Sequence, residues 1–140
     1  MDEIIPIKGV KLKSLKIIFH PKGDILHIAK DSEDNLNLFK EIYVSIIKQN
    51  EIKGWKLHKK MICNLIVPKG KVKFVMTKDK KNFFEVILSR NNYKRLTIPP
   101  QIWFAFQGLG EEENLIVNLA TLEHNSEESI NIPLNKIKYF

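Results

Sequence analysis

The chain has 140 residues and a formal net charge of +7, with 44% hydrophobic residues and a single cysteine, Cys63. This length and composition favour one globular domain, residues 1–140, and exclude both a disulfide within the chain and a zinc site built from several cysteines. No apolar run approaches the ~20 residues that cross a bilayer, so we predict no membrane span, and the lone cysteine favours a cytoplasmic location.

Short segments rich in β-branched and aromatic residues recur along the chain. The predicted strands lie at 10–19, 25–29, 41–48, 62–67, 71–76, 83–88, 94–98, 102–107 and 114–119. Turns or polar loops separate them, at 20–24, 31–35, 68–70, 79–82, 89–92 and 108–113, and residues 35–40 can hold one helical turn. A polar loop at 123–129 and a surface-bound tail complete the chain. Such regular spacing of short strands predicts an all-β sandwich or barrel.

The basic charge comes almost wholly from lysine, since Arg90 and Arg95 are the two arginines. Recognition of phosphates and bases through paired hydrogen bonds prefers arginine. The lysines are spread along the chain and the aromatic residues mostly fall in apolar segments, which disfavours a nucleic-acid partner. Binding of a small phosphorylated ligand by a subset of the lysines stays open.

One segment, Lys53-Gly54-Trp55-Lys56-Leu57-His58, goes beyond ordinary strand patterning. After it come a hairpin turn ending at Gly70, the run Ile98-Pro99-Pro100, a Gly-Leu-Gly-Glu-Glu loop and a strand that includes Asn118. This order resembles the dTDP-4-dehydrorhamnose 3,5-epimerase family. It equally resembles the dTDP-4-keto-6-deoxyhexose 3,4-ketoisomerase family, whose motif is Arg-Gly-aromatic-His-x-His. The resemblance implies a small cupin-like jelly-roll barrel, a homodimer, and a role in polysaccharide biosynthesis.

The resemblance also implies roles for individual side chains. His58 matches the base that removes a proton alpha to the keto group of a sugar nucleotide, a task that needs a pKa near the working pH. Lys53 occupies the place of the family arginine that contacts the nucleotide diphosphate. Tyr43 precedes Lys53 by ten residues, as a tyrosine does in the ketoisomerase motif, and is predicted to donate a proton or contact the ligand.

Further substrate contacts are predicted from polar and aromatic residues. Asn64 and Asn118 interrupt apolar strands, and a polar side chain that points into a barrel needs a partner, which a ligand can supply. Gln107 follows the same reasoning. Trp103 is expected to stack on a base or sugar ring, and Lys60 to lie at the mouth of the barrel.

Two positions depart from the two families. Lys56 stands where the ketoisomerases have the first histidine of their motif. The epimerases place a tyrosine acid on a late strand, whereas this chain has no tyrosine between Tyr93 and Tyr139.

The positions of the four metal ligands of metal-dependent cupins read Lys56, His58, Ile62 and Phe104, so we predict neither a catalytic metal nor an organic cofactor. The predicted function is therefore an epimerase or ketoisomerase of a nucleotide-linked 4-keto-6-deoxy sugar, with that small molecule as its partner. The alternative is a non-catalytic cupin module that binds a sugar nucleotide or glycan.

Overall fold

The computed structural model describes residues 5–140, and the regular secondary structure of this part of the chain is almost entirely antiparallel strands. In chain order, the strands are β1 (Lys11–Ser14), β2 (Ile17–Ile18), β3 (Ile25–Leu26), β4 (Glu41–Ile47), β5 (Ile52–His58), β6 (Cys63–Lys69), β7 (Lys71–Thr77), β8 (Phe83–Ser89), β9 (Lys94–Ile98), β10 (Trp103–Gly108), β11 (Asn114–Ala120) and β12 (Ser129–Asn131). The helical elements are α1 (Asp31–Asp34) and three 3-10 turns, at Leu36–Leu38, Ser126–Glu128 and Leu134–Lys136.

The strands form two five-stranded sheets and a small hairpin. The first sheet has the order β1-β9-β6-β11-β4, the second has the order β12-β5-β10-β7-β8, and β2 pairs with β3. Most neighbours in each sheet are distant in sequence because the chain crosses repeatedly between the sheets, as it does in a jelly roll. The predicted all-β class is confirmed. Within residues 5–140, no helix has the length and apolar character needed to cross a membrane.

Apolar side chains fill three layers. The main core lies between the two sheets and includes Leu65, Phe74 and Leu96. A second cluster covers the outer face of the second sheet, where Ile137 of the C-terminal segment packs with Trp55. A third cluster covers part of the outer face of the first sheet, beneath the segment that contains β2 and β3. Both sheets are therefore covered on two faces over much of their area, which explains why several strands are apolar on both sides.

The observed elements differ from the predicted ones in four places. The predicted strand at 10–19 is two strands, because β1 pairs with β9 whereas β2 leaves that sheet and pairs with β3. The predicted loop at 31–35 holds α1, and the predicted helical turn at 35–40 is confirmed. The polar loop at 123–129 ends in β12, and the tail is anchored because Ile137 is buried. Strand β5 was not among the predicted strands.

An irregularity in β5 orients the side chains of this strand. Opposite β10, Lys56 pairs with Phe104 and Lys53 pairs with Phe106, so three residues of β5 span the same length as two residues of β10. A β-bulge of this kind places Lys53 and Lys56 on the same face, although an odd spacing would normally separate them. A side chain at Gly54 would collide with Ala105, because a Cβ built at Gly54 lies 2.4 Å from the Ala105 Cβ atom.

Asn114 joins three segments at one end of the barrel. Its side chain is fully buried, and its Oδ1 accepts hydrogen bonds from the backbone N–H groups of Lys71 (2.8 Å) and Gly110 (3.0 Å). Its Nδ2 donates to the carbonyl of Ile47 at 3.1 Å. The end of β4, the start of β7 and the start of β11 are thus held by one amide.

We expect Asn114→Ala to lower the free energy of unfolding by about 2–4 kcal/mol, because it leaves buried backbone donors and acceptors without partners. Urea titration followed by circular dichroism measures this loss. The matched control is Asn37→Ala, an exposed asparagine whose side chain makes no hydrogen bond within residues 5–140, which should change stability by less than about 0.5 kcal/mol. A loss below about 1 kcal/mol for Asn114→Ala would contradict this account.

Candidate active site

A cavity of about 360 Å³ lies between the two sheets. Tyr43 of β4 lines it from the first sheet, and Lys53, Lys56 and His58 of β5 line it from the second. The rest of the wall is largely apolar and aromatic; it includes Phe74, Phe104 and Phe106. An apolar cavity with a few convergent polar groups is the usual form of a small-molecule site.

His58 is the best-oriented ionisable group in the cavity wall. Its Nδ1 lies 2.5 Å from Oε1 of Glu128, and both side chains are 9% exposed. The other carboxylate oxygen of Glu128 accepts hydrogen bonds from the backbone N–H groups of Lys60 and Met61, both at 2.8 Å. Since Glu128 is held at both oxygens, it fixes the plane of the imidazole ring, and Nε2 is the ring nitrogen that remains for a ligand.

The electrostatic state of Glu128 follows from these bonds. Burial alone would raise the pKa of this carboxyl, but the hydrogen bonds from Lys60, His58 and Met61 outweigh burial, and the pKa lies below its ordinary value. Glu128 is therefore ionised at neutral pH and favours the tautomer of His58 that carries its proton on Nδ1. Sequence reasoning missed Glu128, because it lies in a polar segment 70 residues away from His58 along the chain.

Tyr43, the predicted proton donor or ligand contact, lies on the wall formed by the first sheet. Its hydroxyl oxygen accepts a hydrogen bond from Nδ2 of Asn118 at 2.9 Å, so the hydroxyl proton is left to donate into the cavity. Burial raises the pKa of Tyr43, which keeps the phenol protonated. The Oδ1 of Asn118 accepts from the backbone N–H of Asn64 at 3.0 Å, so the amide that holds Tyr43 is itself held.

The two predicted asparagines face opposite sides of the first sheet. Asn118 lines the cavity. Asn64 does not line it: its side chain donates to the carbonyl of Leu119 at 3.0 Å and accepts from the hydroxyl of Thr97 at 2.8 Å. The polar groups of Asn64 are therefore satisfied within the sheet.

Three other predicted contacts also lie outside the cavity. Trp103 and Gln107 alternate with the inward-facing Phe104 and Phe106, so they point to the opposite face of β10. Trp103 packs in the outer cluster of the second sheet. Lys60 lines a separate, open surface cavity. The structure thus brings together His58, Tyr43, Lys53 and Asn118 and does not bring Asn64, Trp103, Gln107 or Lys60 to the same cavity.

Cys63 also lines the cavity, although the sequence did not single it out as a site residue. Burial raises the pKa of its thiol to about 12, so the sulfur is protonated and unreactive at neutral pH. Within residues 5–140, no group of three or more histidine, cysteine, aspartate or glutamate side chains is arranged to hold a metal ion.

Comparison with known proteins identifies the family of this chain. Residues 8–133 match the family described as FdtA: WxcM-like, C-terminal. This match spans most of the chain. The chain belongs to the FdtA family.

Solved structures share the FdtA-family fold of this chain. A dTDP sugar isomerase from Desulfovibrio desulfuricans G20 is 28% identical with a TM-score of 0.91, and the match covers 99% of this chain and 94% of that one. The 3,4-ketoisomerase QdtA from Thermoanaerobacterium thermosaccharolyticum, solved as a mutant in complex with TDP-4-keto-6-deoxyglucose, is 23% identical with a TM-score of 0.74 over 89% of this chain and 88% of that one.

A curated relative comes from an archaeon. The "Probable low-salt glycan biosynthesis epimerase Agl13" of Haloferax volcanii is 21% identical over 130 residues, which is 87% of this chain and 83% of that protein. The predicted resemblance to sugar-nucleotide epimerases and ketoisomerases is confirmed, and so is the predicted cupin-like jelly roll.

The ionised Glu128 predicts a pH-dependent contribution to stability. Because its pKa is lower in the folded protein than in the unfolded chain, this contribution is complete above the ordinary carboxyl pKa and is lost as the pH falls toward the folded value. We expect Glu128→Gln to cost about 1–3 kcal/mol of unfolding free energy at neutral pH. The difference from wild type should shrink as the pH is lowered from about 5 to about 3.

Urea titrations of both proteins across this pH range provide the measurement. Glu127→Gln is the matched control, because Glu127 is the exposed neighbour of Glu128 in the same turn. A stability difference between wild type and Glu128→Gln that stays constant with pH would show that the carboxylate charge has no part in it.

Proposed function

We propose that this FdtA-family chain is an isomerase of a nucleotide-linked, dTDP-type 4-keto-6-deoxy sugar in polysaccharide biosynthesis, either an epimerase or a 3,4-ketoisomerase. The observation that carries the proposal is the pair formed by His58 and Glu128 at the wall of an apolar cavity. A histidine held by a carboxylate through Nδ1 presents a basic Nε2, which is what removal of a proton from carbon requires. The similarity to the dTDP sugar isomerase and to the 3,4-ketoisomerase QdtA supports the same substrate class.

The first chemical step starts from His58 beside the ionised carboxylate of Glu128. Nε2 of His58 takes the proton from the carbon next to the ketone, and the electron pair of that C–H bond forms a carbon–carbon double bond. The carbonyl π electrons move onto the ketone oxygen, which gives an enediolate. Glu128 stabilises the imidazolium that forms, because its negative charge lies against Nδ1.

The second step returns a proton to carbon, and Tyr43 is the proposed donor or ligand contact. Tyr43 is on β4 of the first sheet and His58 is on β5 of the second, so they reach the cavity from different sheets. Return of the proton to the opposite face of the same carbon yields an epimer. Return to the neighbouring carbon, after the proton of the enediol has shifted between oxygens, moves the ketone and yields the ketoisomer.

Lys53 is the proposed contact for the diphosphate. Its Nζ donates to the carbonyl of Ile46 at 2.9 Å, which holds the ammonium group at the cavity edge. Two of the three donors of the ammonium group remain for phosphate oxygens. The proposed location is the cytoplasm, where a free cysteine such as Cys63 stays reduced.

We expect wild-type protein in D₂O to incorporate deuterium at C3, or at C3 and C5, of dTDP-4-keto-6-deoxyglucose. His58→Asn should lower the exchange rate by about 100-fold or more, since a positioned general base contributes at least that factor. Proton NMR follows the loss of the C–H signals and identifies the product as epimer or ketoisomer. The matched control, His124→Asn, changes an exposed histidine outside the cavity and should exchange at the wild-type rate.

The same experiment separates an enzyme from a binding module. Binding of dTDP-4-keto-6-deoxyglucose without exchange would favour the non-catalytic cupin module. Two features of the sequence also favour that alternative: the lysine at position 56 and the absence of a tyrosine between Tyr93 and Tyr139. Equal exchange by wild type and His58→Asn would refute the role of His58 as the base.

The proposal includes a homodimer. Strand β4 lies at the edge of the first sheet, and its outer face exposes Ile42, Val44 and Ile46. An apolar edge strand left in water invites pairing with another chain. An antiparallel edge can meet a second copy of itself around a twofold axis, so one surface patch can supply both halves of the contact.

If the β4 edge forms the dimer, Val44→Asp should convert the dimer to a monomer, because it buries an unpaired charge on each side of the twofold axis. Sedimentation velocity at micromolar concentration measures the mass. Ile25→Asp is the control, since Ile25 is equally exposed but lies in the β2–β3 hairpin. A Val44→Asp variant that sediments as wild type would exclude this surface.

A further inference from the structure

We propose that Lys56 is a second catalytic residue, whose ammonium group binds the ketone oxygen of the substrate as that oxygen becomes an enediolate. The assignment rests on the proposed function and adds to it the group that stabilises the charge created by His58. It also gives a role to the position at which this chain departs from the histidine of the ketoisomerase motif.

The placement of Lys56 in β5 brings it beside the base. Lys56 and His58 are two residues apart on the same strand and both line the cavity. Positions two apart on a strand are separated by about 7 Å along it, and a lysine side chain is long enough to close much of that distance. The ketone oxygen, two bonds from the carbon that faces His58, is therefore within reach of the Lys56 ammonium.

Lys56 also differs from the other charged groups of the cavity in having no protein partner. His58 is paired with Glu128, and Lys53 donates to the carbonyl of Ile46. The ammonium group of Lys56 makes no hydrogen bond or ion pair within residues 5–140, although the residue is partly buried. A partly buried cation without a partner is costly, and an anion that forms in the cavity would supply the missing interaction.

The charge of Lys56 acts inside the cavity. Burial raises the pKa of the Cys63 thiol, and the positive charge of Lys56 opposes that rise, although the two residues lie on different sheets. Lys53, in contrast, is an exposed residue whose ammonium is held at the edge strand β4. The two lysines on one face of β5 therefore suit different parts of the substrate: Lys53 the diphosphate, and Lys56 the sugar ring.

The proposed interaction leaves the atom and electron balance of the reaction unchanged. The proton leaves carbon for Nε2 of His58, and the negative charge appears on the ketone oxygen beside Lys56, which keeps its three protons. When the proton returns to carbon, the oxygen becomes a neutral carbonyl again. Because the attraction is strong only while the oxygen is charged, it lowers the barrier more than it tightens substrate binding.

The test compares Lys56→Met and Lys56→Gln, which remove the charge at similar size, with Lys56→Arg, which keeps it. Rates of deuterium exchange into dTDP-4-keto-6-deoxyglucose give kcat and KM, and thermal unfolding identifies any variant that is not folded. We expect kcat to fall on the order of 100-fold or more in the two neutral variants, with KM within about threefold of wild type. Lys56→Arg should recover a substantial part of the rate.

Lys53→Met is the matched control on the same face of the same strand. It should mainly raise KM, because a diphosphate contact is equally strong in the ground state and the transition state. The opposite responses of the two lysines distinguish stabilisation of the enediolate from general attraction of an anionic substrate.

Three results would overturn the assignment. A folded Lys56→Met or Lys56→Gln variant that keeps kcat within about threefold of wild type would show that the charge is not used. A rise in KM at constant kcat would make Lys56 a ground-state binding residue. If wild-type protein itself exchanges no deuterium, the proposed function fails and this role for Lys56 fails with it. If wild-type protein exchanges deuterium and the Lys56 variants exchange it equally well, only the role of Lys56 fails.

Discussion

The extra residue in β5 is the constraint on which the arrangement of the cavity depends. A regular strand would send Lys53 and Lys56 to opposite faces, and one of the two charges would then lie in the apolar cluster around Trp55. The bulge opposite Phe104 and Phe106 places both lysines, and His58 after them, on the face of β5 that lines the cavity. Close approach of β5 and β10 at this point leaves no room for a side chain at Gly54. Gly54 and the bulge are therefore needed for the shape of the site, although neither contributes a reactive side chain.

The C-terminal segment depends on the same strand and completes the site from outside. Strand β12 pairs with β5, and the turn before it delivers Glu128 to His58. Beyond β12, the backbones of Ile132 and Trp55 exchange hydrogen bonds, and Ile137 packs in the same cluster as Trp55. The carboxylate that orients His58, the proposed base, is thus anchored by the packing of the C-terminal segment.

The sequence predicted the strands better than it predicted their faces. The alternation along β10 is obscured because both of its faces are covered, so Trp103 and Phe104 look equally suited to a pocket in the sequence. Asn64 and Asn118 are both polar residues in apolar strands, so the sequence does not distinguish them. Asn64 makes its hydrogen bonds within the sheet, whereas Asn118 lines the cavity. Register decides these cases, and register is set by contacts between distant segments. His58 was identifiable because it belongs to a local motif, whereas Glu128 belongs to none.

The charges around the cavity explain why a lysine is compatible with the chemistry at a position where the ketoisomerase motif has a histidine. In the proposed mechanism, a neutral His58 lies beside the carboxylate of Glu128 before proton abstraction. Abstraction then adds one positive charge at His58 and one negative charge on the substrate. In the proposed reaction, the Lys56 ammonium repels the positive charge that forms at His58, whereas Glu128 attracts it through direct contact with Nδ1. In the proposed mechanism the same ammonium attracts the enediolate, and no carboxylate of residues 5–140 is paired with it. In this mechanism Lys56 lies on the substrate side of His58 and Glu128 lies on the far side. Their charges together favour movement of electrons from the C–H bond toward the ketone oxygen.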